Sequence, residues 1–298
     1  MNKLTSLFRL SVVFAILAAV APSLADARER SLTVLSYNIL NGMKLDESPE
    51  KQAFTAWLKK IDPDILALQE AQQLTQKSLE EMARAYGHPY AVLLKEEGYP
   101  TALTSKYPIV DVRKVIDNMH HGFIQAEIEG CHVMVIHLSP HKYRKRREEI
   151  DLLLATVRSE RSKAPWLLMG DFNAESPLDA EMYRDGKLAA ARERMREKYP
   201  VHDNVVNGAL DFEVIDRVLA AGFIDVAYLK RTGRLTSQPT RRFTEPPDRA
   251  IPRRVDYIFA SRELEPRIEE AKIWKDEFTD MYSDHYPVWV KLRVPLAL

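Results

Sequence analysis

Apolar runs at two different spacings predict helices and strands in a mixed order along the chain. Residues 32–37 form a short apolar run typical of a strand. Residues 48–50, Ser-Pro-Glu, then supply an N-cap, a first-turn proline and a first-turn acid for a helix whose apolar side chains recur at helical spacing. Pro63 ends that helix, and a second apolar strand follows at residues 65–68. The first part of the chain is therefore predicted to be a strand, helix, strand unit.

The rest of the chain continues this pattern in two similar halves. The expected elements are a helix at 75–86, strands at 90–94, 102–104, 109–115, 123–128 and 131–137, a helix at 145–160, a strand at 166–169, a helix at 212–221, and strands at 257–260, 268–274 and 288–292. Closely spaced strands imply antiparallel hairpins. We predict two sheets packed face to face with helices outside. The charge-rich helix at 187–198 is interpreted as a solvated surface element.

Residues 1–27 have a different pattern, typical of a signal peptide. Two basic residues precede an apolar run at residues 10–20, and Ala25 and Ala27 place small residues where a signal peptidase reads. We predict cleavage after Ala27, and cleavage after Ala25 fits nearly as well. The apolar run is shorter than the roughly 20 residues that span a bilayer, so no membrane span is expected. Residues 28–298 would then be one exported domain, secreted or periplasmic.

Composition and charge are consistent with one large domain. The 298 residues are 46% hydrophobic, which is enough for one large core. Basic and acidic residues each number 43, and without residues 1–27 the net charge is about −1. Such a charge supplies no global positive field for nucleic acid. Cys131 is the only cysteine, so an intrachain disulfide is excluded.

The most specific local signal is an apolar strand that runs into Gly170 and then presents Asp171 and Asn173. Alternation along an extended chain points these two polar side chains to the same side, so both could reach one phosphate. The alternative is that Asp171 and Asn173 simply form a turn, as these residue types often do.

Other predicted strands also begin or end in polar side chains. Asp284 and His285 directly precede the last strand, Asp256 leads another, and Glu70 and His137 each end one. Each has an ordinary structural explanation, such as a helix cap, a buried histidine or a turn. Their repetition at strand ends instead favours a shared functional site.

Together these segments resemble the endonuclease/exonuclease/phosphatase superfamily, which includes deoxyribonucleases, exonuclease III-type repair enzymes, neutral sphingomyelinases and inositol-polyphosphate phosphatases. The motifs, in the family's order, are Ser36-Tyr37-Asn38, Leu68-Gln69-Glu70, His137-Leu138, Gly170-Asp171-Phe172-Asn173, Arg254-Val255-Asp256-Tyr257-Ile258 and Ser283-Asp284-His285-Tyr286-Pro287. The resemblance spans residues 32–293. It implies an α+β fold, a four-layer α/β/β/α sandwich of two mixed β-sheets, and a metal-dependent hydrolase of phosphoric esters.

The resemblance also implies a metal site. Glu70 would be the principal ligand, with Asp284 and Asn38 beside it. Carboxylate and amide oxygens suit Mg²⁺ or Mn²⁺ rather than zinc.

The resemblance gives the remaining polar residues catalytic roles. Asp256 and His285 resemble a carboxylate-imidazole pair that activates water, and Asp171 competes for the same role. Asn173 would hold a phosphoryl oxygen. His137 would be a second phosphate contact or a general acid.

The branch within the family, and so the substrate, is left open. Leu40 stands where repair endonucleases have an aspartate, and Gln72 stands where deoxyribonucleases have an arginine. Three further residues are weaker candidates for binding substrate: His121, Arg144 and Arg147.

We therefore expect a monomeric phosphodiesterase with nucleic acid as its first candidate substrate. Phospholipids and inositol phosphates are the alternatives within the same chemistry. A non-catalytic binding module on the same fold is the alternative of another class, although none of the family's core positions is substituted.

Overall fold

The computed structural model describes residues 29–245 and 250–295, so the predicted signal peptide at residues 1–27 lies outside the described residues. The strands are β1 Glu29–Asn38, β2 Ile65–Gln69, β3 Tyr90–Leu93, β4 Ala102–Ser105, β5 Val110–Val115, β6 Phe123–Ile128, β7 Cys131–His137, β8 Trp166–Asp171, β9 Val205–Val206, β10 Ala209–Leu210, β11 Phe223–Asp225, β12 Asp256–Ser261, β13 Ile268–Ile273 and β14 Val288–Pro295. The α-helices are α1 Leu40–Met43, α2 Gln52–Ile61, α3 Gln76–Ala85, α4 Tyr143–Ser159, α5 Lys187–Lys198, α6 Glu213–Ala220, α7 Val226–Leu229 and α8 Thr279–Tyr282. Short 3-10 helices occur at Pro49–Lys51, Pro177–Tyr183, Arg241–Phe243 and Arg262–Arg267.

Twelve of the described strands form two six-stranded mixed sheets, and β9 and β10 form a separate two-stranded antiparallel sheet. The first six-stranded sheet has the order β13-β14-β1-β2-β4-β3, and the second has the order β11-β12-β8-β7-β6-β5. In each six-stranded sheet the central pair, β1 with β2 and β7 with β8, is parallel, and the flanking pairs are antiparallel. Parallel neighbours require a crossover. α2 supplies the crossover from β1 to β2, and α4 supplies the one from β7 to β8.

Three apolar clusters hold four layers together. The inner faces of the two sheets pack against each other through residues such as Leu32, Val34, Val133, Leu167 and Ile258. The outer face of the first sheet is covered by α2 and α3, with side chains such as Phe54, Leu58 and Leu79. The outer face of the second sheet is covered by α4 and α6, with side chains such as Ile150, Leu153 and Val214. The predicted four-layer sandwich is confirmed.

Helix α5 has a mostly polar surface, as its sequence predicts, and Leu188 is its buried side chain. The helix is nevertheless attached to the domain, because Arg192 donates two hydrogen bonds to the fully buried carboxylate of Glu175. In the part of the chain that the structure describes, no helix has both the length and the apolarity needed to cross a bilayer.

Gly170 lets β8 approach β7 closely just before β8 ends. Its φ is +147°, and a Cβ atom there would lie 1.9 Å from the backbone oxygen of Ile136. A side chain is therefore excluded at this position. The close pairing sets the register in which His137 and Asp256 both lie opposite Asp171, on the two neighbouring strands.

Candidate active site

The polar strand ends of the two sheets meet along one edge of the sandwich. β7 and β8 end in His137 and Asp171, and β12 begins at Asp256 beside them. In the opposite sheet β1 ends in Asn38, β2 is followed by Glu70, and Asp284 and His285 precede β14. The parallel pairs end at this edge and the antiparallel strands begin there, so side chains distant in sequence converge.

Asp171 lies at the centre of this group. Its Oδ2 atom accepts a hydrogen bond from Asn38 Nδ2 at 3.1 Å and lies 3.7 Å from His137 Nε2 and 3.9 Å from His285 Nε2. Its Oδ1 atom accepts from the backbone N–H of Asn173 at 2.8 Å. Burial, together with the nearby charge of Asp256, raises the pKa of Asp171 to about 7. One carboxylate thus faces two imidazoles and an amide.

Asp256 and His285 form a buried pair. His285 Nδ1 lies 2.8 Å from Asp256 Oδ2, so Nδ1 carries a proton directed at the carboxylate. Asp256 is held in turn by Ser237, whose hydroxyl oxygen accepts the backbone N–H groups of Val255 and Asp256. The predicted carboxylate-imidazole geometry is present, and its catalytic role remains a prediction.

The surrounding carboxylates determine the charge of His285. Burial opposes the charged ring, but Asp256, Asp284 and Asp171 outweigh it and raise the pKa of His285 from 6.5 to about 10. Gln238 Nε2, at 2.9 Å from His285 Nε2, can donate only to the neutral ring, and such a bond contributes about 1 kcal/mol. The carboxylates therefore dominate, and the metal-free site favours an imidazolium.

Glu70 lies on the other side of Asn38. Its two carboxylate oxygens accept from Asn38 Nδ2 at 3.2 Å and from the backbone N–H of Asn41 at 3.0 Å. Glu70 has a φ of +57°, a strained conformation for a residue with a side chain that is often found at functional sites. Burial raises the pKa of Glu70, and Asp284 raises it further.

Asn38, the third predicted metal ligand, lies between Glu70 and Asp171. Its amide nitrogen is directed at Glu70 and Asp171, and its Oδ1 atom accepts the backbone N–H of Leu40. This oxygen accepts one hydrogen bond and has a second lone pair, so coordination of a cation by Asn38 remains a prediction. Asn38 links the two carboxylates and holds their spacing.

Two groups of side chains have the chemistry to hold a divalent cation. Asp171, Asp256 and His285 each place a ligand atom within 4.8 Å of the others, but the hydrogen bond between Asp256 and His285 already occupies this group. Asp284 instead has a buried Oδ1 atom with no hydrogen-bond partner among the described residues. An unpaired buried carboxylate oxygen near Glu70 fits a hard cation better.

Two further histidines that line the cleft, His121 and His137, are neutral. His121 and His137 stack with ring centroids 4.1 Å apart, and both rings are buried. Burial lowers the pKa of His121 to about 3, and it holds the pKa of His137 well below its usual value. Of the two predicted roles for His137, a hydrogen-bonding phosphate contact fits this neutral state better than a general acid does.

Asn173 and the two predicted arginines differ in position. Asn173 lines the cleft, and its amide nitrogen donates to the backbone oxygen of Leu138 at 3.0 Å. Arg144 and Arg147 do not line the cleft; they pair instead with Asp203 and Asp211 at 3.0 and 2.6 Å. Their guanidinium groups already have carboxylate partners, so the structure does not bring them together with the site.

Sequence reasoning missed two residues that hold the site in place. Gln238 bridges Asp284 and His285 through Nε2, at 3.0 and 2.9 Å. Glu149 is fully buried, and its carboxylate accepts the backbone N–H groups of His120 and Ser139 on the two loops beside the histidines. Gln238 had no recognisable motif around it. A glutamate on the apolar face of α4 was a signal that could have been noticed.

Comparison with known proteins places this geometry among nucleases and phosphatases. The model of the Endonuclease/Exonuclease/phosphatase family matches residues 35–285. An exodeoxyribonuclease from Bacillus subtilis is 28% identical over 279 residues, which cover 88% of this chain and 100% of that protein.

Solved structures with the same fold include an endonuclease and a phosphatase. An AP endonuclease from Archaeoglobus fulgidus has a TM-score of 0.65 at 20% identity, covering 88% of this chain and 99% of that chain. A 3′ phosphatase from Neisseria bound to product DNA hairpin has a TM-score of 0.64 at 18% identity, with 88% and 99% covered. At these identities the likeness shows a shared fold.

Proposed function

The chain belongs to the endonuclease/exonuclease/phosphatase family and is a hydrolase of phosphoester bonds, and from that premise we propose that it is a divalent-metal-dependent phosphodiesterase acting on nucleic acid. One observation carries the proposal. A single carboxylate oxygen, Asp171 Oδ2, lies within 3.9 Å of two imidazole nitrogens and within 3.1 Å of the Asn38 amide at the base of an open cleft.

This arrangement separates proton acceptors from donors. The Asp171 carboxylate can accept a proton, whereas the Asn38 amide and the two imidazoles around it can donate hydrogen bonds. Asp171 is therefore suited to take a proton from the attacking water. His285 as an imidazolium can donate to a phosphoryl oxygen through Nε2–H, and neutral His137 can do the same. Asp256 keeps His285 in the required orientation. These roles reverse the order of preference for the base that the sequence suggested.

Glu70 and Asp284 are the proposed ligands of the divalent cation, which we infer to be Mg²⁺ or Mn²⁺ because the donors are hard oxygens. A bound cation would neutralise charge that develops on the phosphoryl oxygens. Without it, Asp284 has an unpaired buried oxygen and repels Glu70. Asn38 keeps Glu70 and Asp171 apart at a fixed spacing.

Replacement of Glu70 by glutamine should weaken metal affinity and turnover together. We expect hydrolysis of bis(p-nitrophenyl) phosphate to require added Mg²⁺ or Mn²⁺ and to stop in excess chelator. The Glu70→Gln variant should need at least about tenfold more metal for half-maximal activity, because even residues that only support metal ligands contribute about 10- to 100-fold to metal affinity. Metal titration of the initial rate measures this.

Glu80→Gln is a matched control, because Glu80 lies on the outer helix α3 and interacts there with Gln76 and Arg84. Its metal dependence should equal that of the wild type. Full activity of the wild type in chelator would contradict the metal mechanism.

Nucleic acid is the favoured substrate for two reasons. The curated relative is an exodeoxyribonuclease. In addition, Tyr99 lies at the mouth of the cleft, 44% exposed and in edge contact with His121, where an aromatic ring can stack on a base. Turnover should therefore be faster on DNA or RNA than on sphingomyelin or inositol phosphates, and the opposite order would reject this substrate.

We also propose that the protein is exported. The basic residues, apolar run and small residues of positions 1–27 support this. N-terminal sequencing of the accumulated protein should find a mature chain that begins near Asp26 or Arg28. A chain that retains Met1 would contradict export.

A further inference from the structure

The catalytic cleft continues into a second cavity beneath α5. The cleft has a volume of about 320 Å³ and the second cavity, the α5 cavity, about 340 Å³. The two cavities share five of their lining residues, which are Pro140, Asn173, Gln238, Arg253 and Asp284. A group attached to a phosphate in the cleft can therefore extend directly into the α5 cavity.

One side of the α5 cavity is apolar. Leu188 and Met195 of α5 line it together with Phe243 and Val255. Such walls, combined with a few fixed polar groups, are typical of sites for small organic groups. A flat heterocycle such as a nucleobase matches a surface of this kind.

The two arginines of the α5 cavity differ in their partners. Arg192 is neutralised by Glu175, with two hydrogen bonds of 2.6 and 2.5 Å. Arg253 donates through Nε to Gln238 Oε1 at 2.8 Å. Within residues 29–245 and 250–295, no ion pair joins the Arg253 guanidinium to a carboxylate.

An unpaired cation in a cleft is costly for the free protein. Burial lowers the pKa of Arg253 and the charge of Arg192 lowers it further, and the charges of Glu175, Asp284 and Asp171 offset this only in part. Gln238 fixes the Arg253 side chain from Nε, so the rest of the guanidinium is available to a ligand at the junction of the two cavities. An anion that arrives with the substrate would compensate this charge.

We propose that Arg253 binds a non-scissile phosphate of a nucleotide chain whose adjacent base occupies the α5 cavity. The proposal rests on the proposed function and adds a subsite to it. It explains why a nearly neutral protein can select nucleic acid, because the positive charge is placed locally, beside the scissile phosphate. The enzyme should then discriminate between substrates with one phosphate and substrates with two or more.

The test compares two substrates in the full chain with bound metal. One is bis(p-nitrophenyl) phosphate, which has a single phosphate, and the other is the trinucleotide TpTpT, which has two. Arg253→Gln should raise the KM for TpTpT about tenfold or more, since a charge-assisted hydrogen bond is lost. The variant also loses the contact with Gln238, so some loss is expected on bis(p-nitrophenyl) phosphate, but it should be at least about tenfold smaller than the loss on TpTpT.

Matched variants control for charge and for the apolar wall. Arg242→Gln removes an exposed arginine that donates to the backbone oxygen of Met281 outside both cavities, and it should leave both substrates unchanged. Arg253→Lys should restore part of the TpTpT affinity. Met195→Glu, at a side chain that is 39% exposed, should raise the KM for TpTpT alone.

A binding measurement separates this inference from the proposed function. Fluorescence anisotropy of labelled TpTpT in chelator reports the subsite without turnover, and Arg253→Gln should bind about tenfold more weakly than the wild type. Equal losses on both substrates would assign Arg253 to the scissile phosphate and overturn the proposal. Unchanged binding would also overturn it. Absence of turnover on every substrate, with the binding difference intact, would reject only the proposed function.

Discussion

Replacement of Asp171 by asparagine is expected to lower kcat about 10²- to 10⁴-fold, the range typical for loss of a general base. Asn173 N–H and Asn38 Nδ2 both donate to the Asp171 carboxylate. An amide can accept only through its single oxygen and cannot take a proton from water. The fold should be retained, because the side chain lies at the end of β8 rather than between the sheets.

The pH dependence provides a second measurement for the same variant. The active form of Asp171 is the carboxylate, so the rate should rise as the pH increases through the pKa of Asp171, which is about 7 without metal. A bound cation favours the carboxylate and moves this midpoint lower. In the Asp171→Asn variant, the rise of the rate with pH should disappear. A variant that keeps both this rise and the rate would show that another group is the base.

Loss of either member of the Asp256 and His285 pair is expected to lower kcat by similar amounts. His285→Ala removes a donor to the phosphoryl oxygen, and donors of this kind contribute about 10²- to 10³-fold. Asp256→Asn keeps the side-chain shape but removes the charge that raises the pKa of His285. The ring would then be neutral at lower pH, and the falling limb of the pH profile should move towards acid.

A double-mutant cycle tests whether these two residues act as a unit. The losses should not add, because Asp256 has no remaining effect once His285 is absent. Asp216→Asn, an exposed carboxylate on α6, controls for the change from acid to amide. Unfolding transitions of all the variants control for stability. Fully additive losses would show that Asp256 and His285 act independently and would contradict this prediction.

Sequence periodicity predicted the fold well because the layers depend on local patterns. The apolar face of α2 and the continuous apolar run of β7 are properties of neighbouring residues. In the structure the first is a buried helix face and the second a strand that is buried along its whole length. The polar strand ends were also visible, since parallel strands must end at one edge. Short elements such as α7 and β11 were missed because they are only four and three residues long.

The remaining features of the site depend on contacts between distant loops, which a single sequence does not reveal. Gln238 reaches Asp284 and His285 across 46 and 47 positions of the chain. Arg147 was a candidate for substrate binding until Asp211, 64 positions away, provided a partner. The orientation of the Asn38 amide depends on Asp171 in the other sheet. The sequence therefore shows which residue types occupy such positions, but it does not show where their side chains point or which groups they contact.

The edge where the two sheets meet has a further consequence for this enzyme. Asn38 belongs to one sheet and Asp171 to the other, so the reacting groups are aligned only while the sheets keep their mutual offset. A misplacement of about 1 Å can cost roughly 10²-fold in rate. The catalytic rate is therefore sensitive to small shifts of one sheet relative to the other. A conservative change at Val34 or Val290, deep between the layers, would alter turnover before it altered cooperative unfolding.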